Sequence, residues 1–170
     1  MADLSTTYLG LKLKNPLVVS SAPTTESIDN LMRMEAAGAG AIVLYSLFEE
    51  QIEMQNLGYA RYSKKYDDLL PEALQHIPDM EEYNQGASNY LAHIYQAKRA
   101  VDIPVIASLN GYYSGSWVQY ARLMEAAGAD AIELNISIPA YNSELSSAQI
   151  EDKYIEIIKE VKEYVSIPVA

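Results

Sequence analysis

The nine residues from Met34 to Ile42, MEAAGAGAI, return at Met124 to Ile132 as MEAAGADAI, with Asp130 in place of Gly40 as the single exchange. Each copy places helix-forming alanine and glutamate ahead of a glycine suited to the left-handed stop of a helix. Each then opens an apolar run, AIVLYS in the first copy and AIELNI in the second, that reads as a short buried strand. A helix end, a turn and a strand repeated along a chain are the mark of βαβ construction. A second echo lies at the strand entries, Asn15-Pro16-Leu17, Ile103-Pro104-Val105 and Ile167-Pro168-Val169. Proline at the first residue of a strand forfeits no ladder bond. The fold class is therefore α/β with parallel strands, in which ligands sit at the carboxyl ends.

Along the chain, Leu4 to Lys14 reads as a short hairpin around Gly10, leading into a first buried strand, Leu17 to Ser21. Thr24 and Thr25 offer an N-cap to a first helix, with Ile28, Leu31, Met32, Met34 and Ala37 on its inward side, ending at Gly38. Strand two, Ala41 to Ser46, delivers Tyr45 and Ser46 to its end. Ser88 caps a second helix with Leu91, Ile94 and Tyr95 on one side, and strand three, Ile103 to Leu109, presents Ser108, Asn110 and Gly111. A third helix from Ser116 to Ala127 leads to strand four, Ala131 to Ile136, and the spacing of Ile150, Tyr154, Ile157, Ile158, Val161 and Val165 predicts a fourth helix. Pro168 begins a fifth strand.

Between Leu47 and Ala87 the rhythm breaks. About 40 residues without periodicity inside one domain signal a functional loop or subdomain. Four strand-helix units and the start of a fifth strand fit within 170 residues, whereas a complete (β/α)₈ barrel takes about 250. The expected organisation is one domain, the first half of a TIM-type barrel with an irregular insertion at about 47–87. A free half-barrel exposes sheet edges and an apolar face, so a complementary C-terminal half or a homo-oligomeric partner is expected to cover it.

Charge and composition narrow the partners. Twelve basic against 23 acidic residues give a net charge of −11, which opposes nucleic acid or an anionic membrane as a partner of the overall field but leaves a local phosphate site open. The absence of cysteine removes disulfides, thiolate metal ligands and a cysteine nucleophile together. No apolar run approaches the ~20 residues of a membrane span and no signal-peptide core opens the chain, so the expected location is the cytoplasm. His76 and His93 have no partner spacing that suggests a metal.

The polar residues at the strand ends carry a resemblance. NPLVVSSAP at strand one, the Asn84-Gln85-Gly86 turn followed by Tyr90 and Leu91, SLNG at Ser108 to Gly111, and ELNIS at Glu133 to Ser137, in this order, resemble the N-terminal half of the dihydroorotate dehydrogenase family. These are flavoproteins on a (β/α)₈ barrel with FMN at the carboxyl ends of the strands. The resemblance implies that Ser20, Ser21 and Ala22 pass beside the flavin and that Ser46 sits near it. It places Asn110 and Asn135 at the flavin or substrate edge, and Asn84, with Asn135, against a pyrimidine substrate. The implied reaction is oxidation of dihydroorotate or a related dihydropyrimidine to the unsaturated ring, a step of pyrimidine biosynthesis, with FMN carrying the hydride chemistry.

Three positions depart from the family pattern. The family's lysine at the end of strand two falls on Tyr45, its catalytic cysteine or serine after strand four falls on Ile138, and the asparagine two positions further falls on Ala140. Ser137 and Ser143, with Tyr141 nearby, are the hydroxyls left as candidate catalytic groups, and a serine needs an activating neighbour to act as a base. The alternative is a catalytically silent half-barrel or assembly module, without base or phosphate site. That site in such barrels usually lies on the loops after strands seven and eight. Taken without the resemblance, Asn110 and Asn135 serve as strand-end turn residues, Ser20 and Ser21 as helix caps, His93 as a surface or satisfied histidine, and the Lys64-Lys65 pair as a solvated loop. The role of Glu133 stays open at this level.

Overall fold

In the computed structural model the described residues are 2–48, 85–111, 116–138 and 145–170. The hairpin read around Gly10 pairs β1 (Thr6–Tyr8) with β2 (Leu11–Leu13) through a two-residue turn, Leu9 at φ 53° and Gly10 at φ 77°. Two successive positive φ values give the turn whose twist matches that of antiparallel strands. β3 (Val18–Val19), β4 (Ala41–Phe48), β5 (Val105–Gly111) and β6 (Ala131–Ile136) then form a parallel sheet in chain order.

Helical segments fill the crossovers. A 3₁₀ turn (Pro23–Glu26) and α1 (Ile28–Ala36) join β3 to β4, α2 (Gln85–Ala100) precedes β5, α3 (Ser116–Ala126) joins β5 to β6, and α4 (Ser147–Tyr164) follows β6. Both copies of the repeat stop their helix on a glycine of positive φ, Gly38 at 105° and Gly128 at 99°, a conformation that side-chain-bearing residues rarely adopt. α4 starts on a capping box: Ser146 Oγ accepts from the Gln149 N–H, and Gln149 Oε1 accepts from the Ser146 N–H at 2.9 Å. After it, Val169 bridges in parallel to Ile132, and the Ala170 N–H donates to the Ile132 carbonyl at 2.9 Å.

The two faces of the sheet are covered differently. One carries the helices, in a core that includes Leu31, Ile42, Leu44, Tyr90, Ile94, Val105, Leu109, Trp117, Met124, Ile132 and Val161. The other carries the hairpin, through Leu13 packed with Ala41, Val43, Ile106 and Ala131. Parallel strands in unbroken chain order with helices on one face follow the barrel plan rather than the doubly wound one, whose strand order reverses at a switch point. The architecture is α/β, the first four strand-helix units of a TIM-type barrel with the start of strand five.

Several local expectations are corrected. Thr24 and Thr25 do not cap α1. They lie in the 3₁₀ turn, where Thr25 is fully buried and its hydroxyl donates to the Ala22 carbonyl at 2.7 Å, and Ser27 precedes the helix instead. Ser88 is inside α2, which begins by Gln85. Met32, Tyr95 and Ile158 face solvent, while Tyr90 and Ala97 take the buried face of α2. A helix buries only the stripe that faces the sheet, so apolar side chains outside that stripe stay in solvent. Most of the irregular insertion lies outside the described residues.

Candidate functional site

The inner face of the sheet changes character along the strands. Register pairs Val43 with Ile106 and Ile106 with Ala131, an apolar layer over the hairpin. Side chains of a strand return to the same face every second residue. The next layer toward the carboxyl ends is Ser46, Ser108 and Glu133, and the one beyond is Phe48, Asn110 and Asn135.

The middle layer is hydrogen-bonded across β4, β5 and β6 and on to Ser21, just beyond the end of β3. Ser21 Oγ and Ser46 Oγ lie 3.1 Å apart, Ser46 Oγ and Ser108 Oγ 2.9 Å apart, and the Ser108 hydroxyl donates to Glu133 Oε1 at 3.2 Å. Hydroxyls can pass donation along such a row because each both donates and accepts. The carboxylate, an acceptor only, fixes its direction from Ser21 towards Glu133.

Ser108 is held from behind as well. The Tyr90 hydroxyl accepts from the Ser108 N–H at 2.8 Å and donates to the Ser108 carbonyl at 3.1 Å, which occupies both backbone polar groups of a fully buried residue. Between Val43 and Ser46 the pairing of β4 with β5 slips, so that Leu44 and Tyr45 together oppose Ala107. This bulge turns the Tyr45 ring toward α2, edge-on to Tyr90 at 5.0 Å between centroids and 5.5 Å from His93. His93 is buried and its Nε2 lies 2.8 Å from the Thr25 carbonyl oxygen, so it is a satisfied core histidine. Burial pushes the Tyr45 phenol above its ordinary value of 10.0, and the Glu26 carboxylate adds to the shift, so Tyr45 stays neutral at physiological pH.

At the strand ends these residues line a cavity of about 440 Å³, formed by Ser21, Ala22, Pro23, Glu26, Tyr45, Ser46, Phe48, Asn110, Glu133 and Asn135. Of the residues expected at a site, the structure brings Ser21, Ala22, Ser46, Asn110 and Asn135 together here. Ser20 lies instead in a second cavity of about 420 Å³ between the hairpin and the inner face, with Thr6, Thr7, Tyr8 and Val43. Glu133 borders both cavities. Ser137 is exposed beside β6 and its N–H donates to the Gly111 carbonyl at 3.2 Å. Ile138 packs against the helix-side core, and its N–H donates to the Tyr154 hydroxyl at 3.4 Å. Asn84, Ala140, Tyr141 and Ser143 lie outside the described residues.

Sequence reasoning missed Glu26, Pro23 and Phe48 as lining residues and left Glu133 unassigned. Its signal was available: Glu133 stands two positions before Asn135 and so shares its face. Among the described residues the lining holds two carboxylates and no lysine or arginine. Serine hydroxyls and asparagine amides, which donate and accept, suit an uncharged heterocycle edge of alternating carbonyl and N–H groups. The isoalloxazine ring of a flavin presents such an edge, and the residues present fit it.

Comparisons with known proteins agree with this arrangement. The family described as Dihydroorotate dehydrogenase matches residues 3–170. The chain is similar to the catalytic subunit of dihydroorotate dehydrogenase B (NAD(+)) of Thermoplasma acidophilum, 33% identical over 99% of this chain and 53% of that protein. It is 32% identical to the corresponding subunit of Pyrococcus abyssi, over 98% of this chain and 52% of that protein. It is also 29% identical to the NAD-dependent dihydropyrimidine dehydrogenase subunit PreA of Escherichia coli, over 92% of this chain and 39% of that protein. The chain thus spans about half the length of the first two relatives and less of the third. With its whole length matched and its polar residues gathered at the carboxyl ends of barrel-type strands, the chain belongs to the dihydroorotate dehydrogenase family.

Proposed function

We propose that the strand-end cavity is one side of the FMN and substrate site of an oxidoreductase that converts dihydroorotate or a related dihydropyrimidine to the unsaturated pyrimidine, as in pyrimidine biosynthesis. The observation that carries this reading is the row Ser21, Ser46, Ser108 and Glu133 beneath the paired amides of Asn110 and Asn135, on the fold of a dehydrogenase family. We take residues 1–170 as a single domain that contributes the first half of the barrel. The FMN phosphate is assigned to the other half, because no cation lines the cavity among the described residues.

Ser21, Ser46, Asn110 and Asn135 would hold the ring system, Asn135 and Asn84 the pyrimidine. When bound, FMN supplies the hydride acceptor, while the adjacent ring carbon of the substrate releases a proton and a carbon-carbon double bond forms. The residues of the serine row and its supports orient the bound rings. Tyr90 locks the Ser108 backbone, Ser108 in turn holds Glu133, and the neutral Tyr45 ring closes the side of the cavity toward α2. Ser137 and Ser143 are the hydroxyls available for the proton in the segment after β6. The names of the relatives, catalytic subunit and dehydrogenase subunit, support a partner chain for this one.

Ile138 favours a second reading. An aliphatic side chain cannot accept a proton, and Ile138 packs, partly buried, against the helix-side core. A catalytically silent scaffold that keeps the barrel half and has lost the base follows from that position. One experiment separates the two: the absorbance spectrum of purified protein before and after adding FMN, and then after adding dihydropyrimidine substrates anaerobically. Bound flavin that bleaches supports the oxidoreductase. Bound flavin that stays oxidised with every dihydropyrimidine supports the silent scaffold, and a barrel with both halves present that takes up no flavin overturns the assignment of the cavity.

A further inference from the structure

Resting on the flavin site proposed above, we infer that Phe48 is a positioning residue for the cofactor: its ring makes an aromatic contact with the isoalloxazine, and the bulge in β4 is what turns it into the cavity. Phe48 is the last residue of β4 and lines the strand-end cavity, 40% exposed. An aromatic ring left this open to water forgoes part of the free energy that its burial would bring. Single exposed apolar side chains are ordinary on a protein surface. This one stands in register with Asn110 of β5 and, through it, with Asn135 of β6, in a layer otherwise made of amides.

The bulge decides which side chains of β4 reach this layer. Val43 pairs with Ile106 on the inner face, and without an inserted residue that face would next receive Tyr45 and then Leu47. The register instead resumes one residue later, with Ser46 opposite Ser108, Leu47 opposite Leu109 and Phe48 opposite Asn110. Leu47 is thereby sent into the helix-side core, where it is buried, and Tyr45 turns to Tyr90 and His93. Ser46 and Phe48 take the inner face in their place. Bulges re-aim side chains in this way beside active sites.

The neighbours of Phe48 select the partner ring. Ser46, two residues earlier on the same face, and Asn110, beside it on β5, are both assigned above to the flavin ring system. The pyrimidine is assigned to Asn135, one strand further from β4, so the flavin is the nearer ring. A hydroxyl and an amide satisfy the polar edge of a planar heterocycle and leave its faces without a partner. An aromatic side chain beside them supplies one, because aromatic rings attract one another beyond the gain from the area they bury. Of the two aromatic residues that line the cavity among the described residues, Tyr45 is held edge-on by Tyr90, and Phe48 is left for the ligand.

The test is made on the barrel with both halves present, reading FMN binding and the spectra of bound flavin rather than turnover. Phe48→Ala is expected to weaken FMN about 10-fold. Phe48→Leu, which restores apolar bulk without a π system, is expected to recover only part of that. Phe48→Trp puts an electron-rich, oxidisable ring at the same place. It is expected to keep the affinity, lower the fluorescence of bound flavin several-fold and add a long-wavelength charge-transfer absorbance. Should Phe48→Ala fail to fold, the leucine and tryptophan variants decide by themselves. Phe48→Trp that binds FMN with an unchanged flavin spectrum overturns the contact, as does Phe48→Leu that binds FMN as tightly as the parent, and either result leaves the flavin site standing. A charge-transfer band that appears only after a pyrimidine is added assigns Phe48 to the substrate and likewise overturns the contact. Parent protein that takes up no FMN overturns both the contact and the site.

Discussion

The single exchange between the two repeat copies shows what one residue decides. In the first copy the Gly40 N–H donates to the Leu17 carbonyl at 2.7 Å, and a Cβ at this position would press into the Asn15 carbonyl oxygen. Asn15 cannot retreat, because its side chain spans from the Gly38 carbonyl to the Leu17 N–H. Gly40→Ala is therefore expected to cost roughly 1–3 kcal/mol, the range of an overpacked core, read as a lowered denaturant midpoint. In the second copy the same position is Asp130, where the carboxylate accepts from Lys98 and from the first N–H of β5. Asp130→Ala leaves that N–H without a partner and is expected to cost about 1–3 kcal/mol by the same measurement. Asp130→Asn, which keeps one acceptor, recovers part of it.

At the scale of elements, α2 is tied to the sheet through Tyr90. Its hydroxyl satisfies both backbone groups of Ser108, so the helix and the centre of β5 move as one piece and the serine row keeps its spacing. Burial raises the Tyr90 phenol far above its ordinary value of 10.0, and the Tyr45 phenol is raised too. The unfolded chain releases these protons near pH 10 while the folded chain keeps them, so above about pH 10 the unfolded state binds fewer protons and stability falls as pH rises. Tyr90→Phe is expected to lose roughly 1–3 kcal/mol at neutral pH, from the unpaired Ser108 groups, and to flatten the alkaline decline. Denaturation followed from pH 7 to 11 checks both. A decline as steep in the variant as in the parent would assign the alkaline loss to other groups.

For the whole molecule, the −11 net charge and the carboxylates of the cavity act in the same sense. Interactions between exposed charges decay over a length of ~10 Å at 0.1 M salt, and over a shorter one as salt is added. Orotate binding to the flavin-loaded protein is therefore expected to tighten as ionic strength rises from about 0.01 to 0.5 M, and uracil binding to stay level. Orotate affinity that falls with salt would reveal a cation facing the ligand. Among the described residues no helix is long and apolar enough to cross a membrane.

Much of this fold was legible because its signals are local. The repeat, the prolines at strand entries and the apolar periodicities lie within windows of a few residues, and they announced the hairpin, the parallel strands, the four helices and the start of a fifth strand. Asn110, Asn135, Ser21 and Ser46 were legible as strand-end residues for the same reason, since a strand's length fixes where its last side chains stand. The sequence alone therefore determined the order of elements and the end of the sheet where the candidate site lies. Only the tertiary structure decided which side chains meet there. The slipped register at Leu44 and Tyr45 depends on the neighbouring strand, the serine row depends on the lateral spacing of the strands, and Ser20 and Ser21 part company beyond the end of β3, Ser20 toward the hairpin and Ser21 toward Ser46. The face of Glu133 could be read from its spacing to Asn135, but its bond from Ser108 could not, because a cross-strand hydrogen bond has no counterpart in the order of residues along one chain.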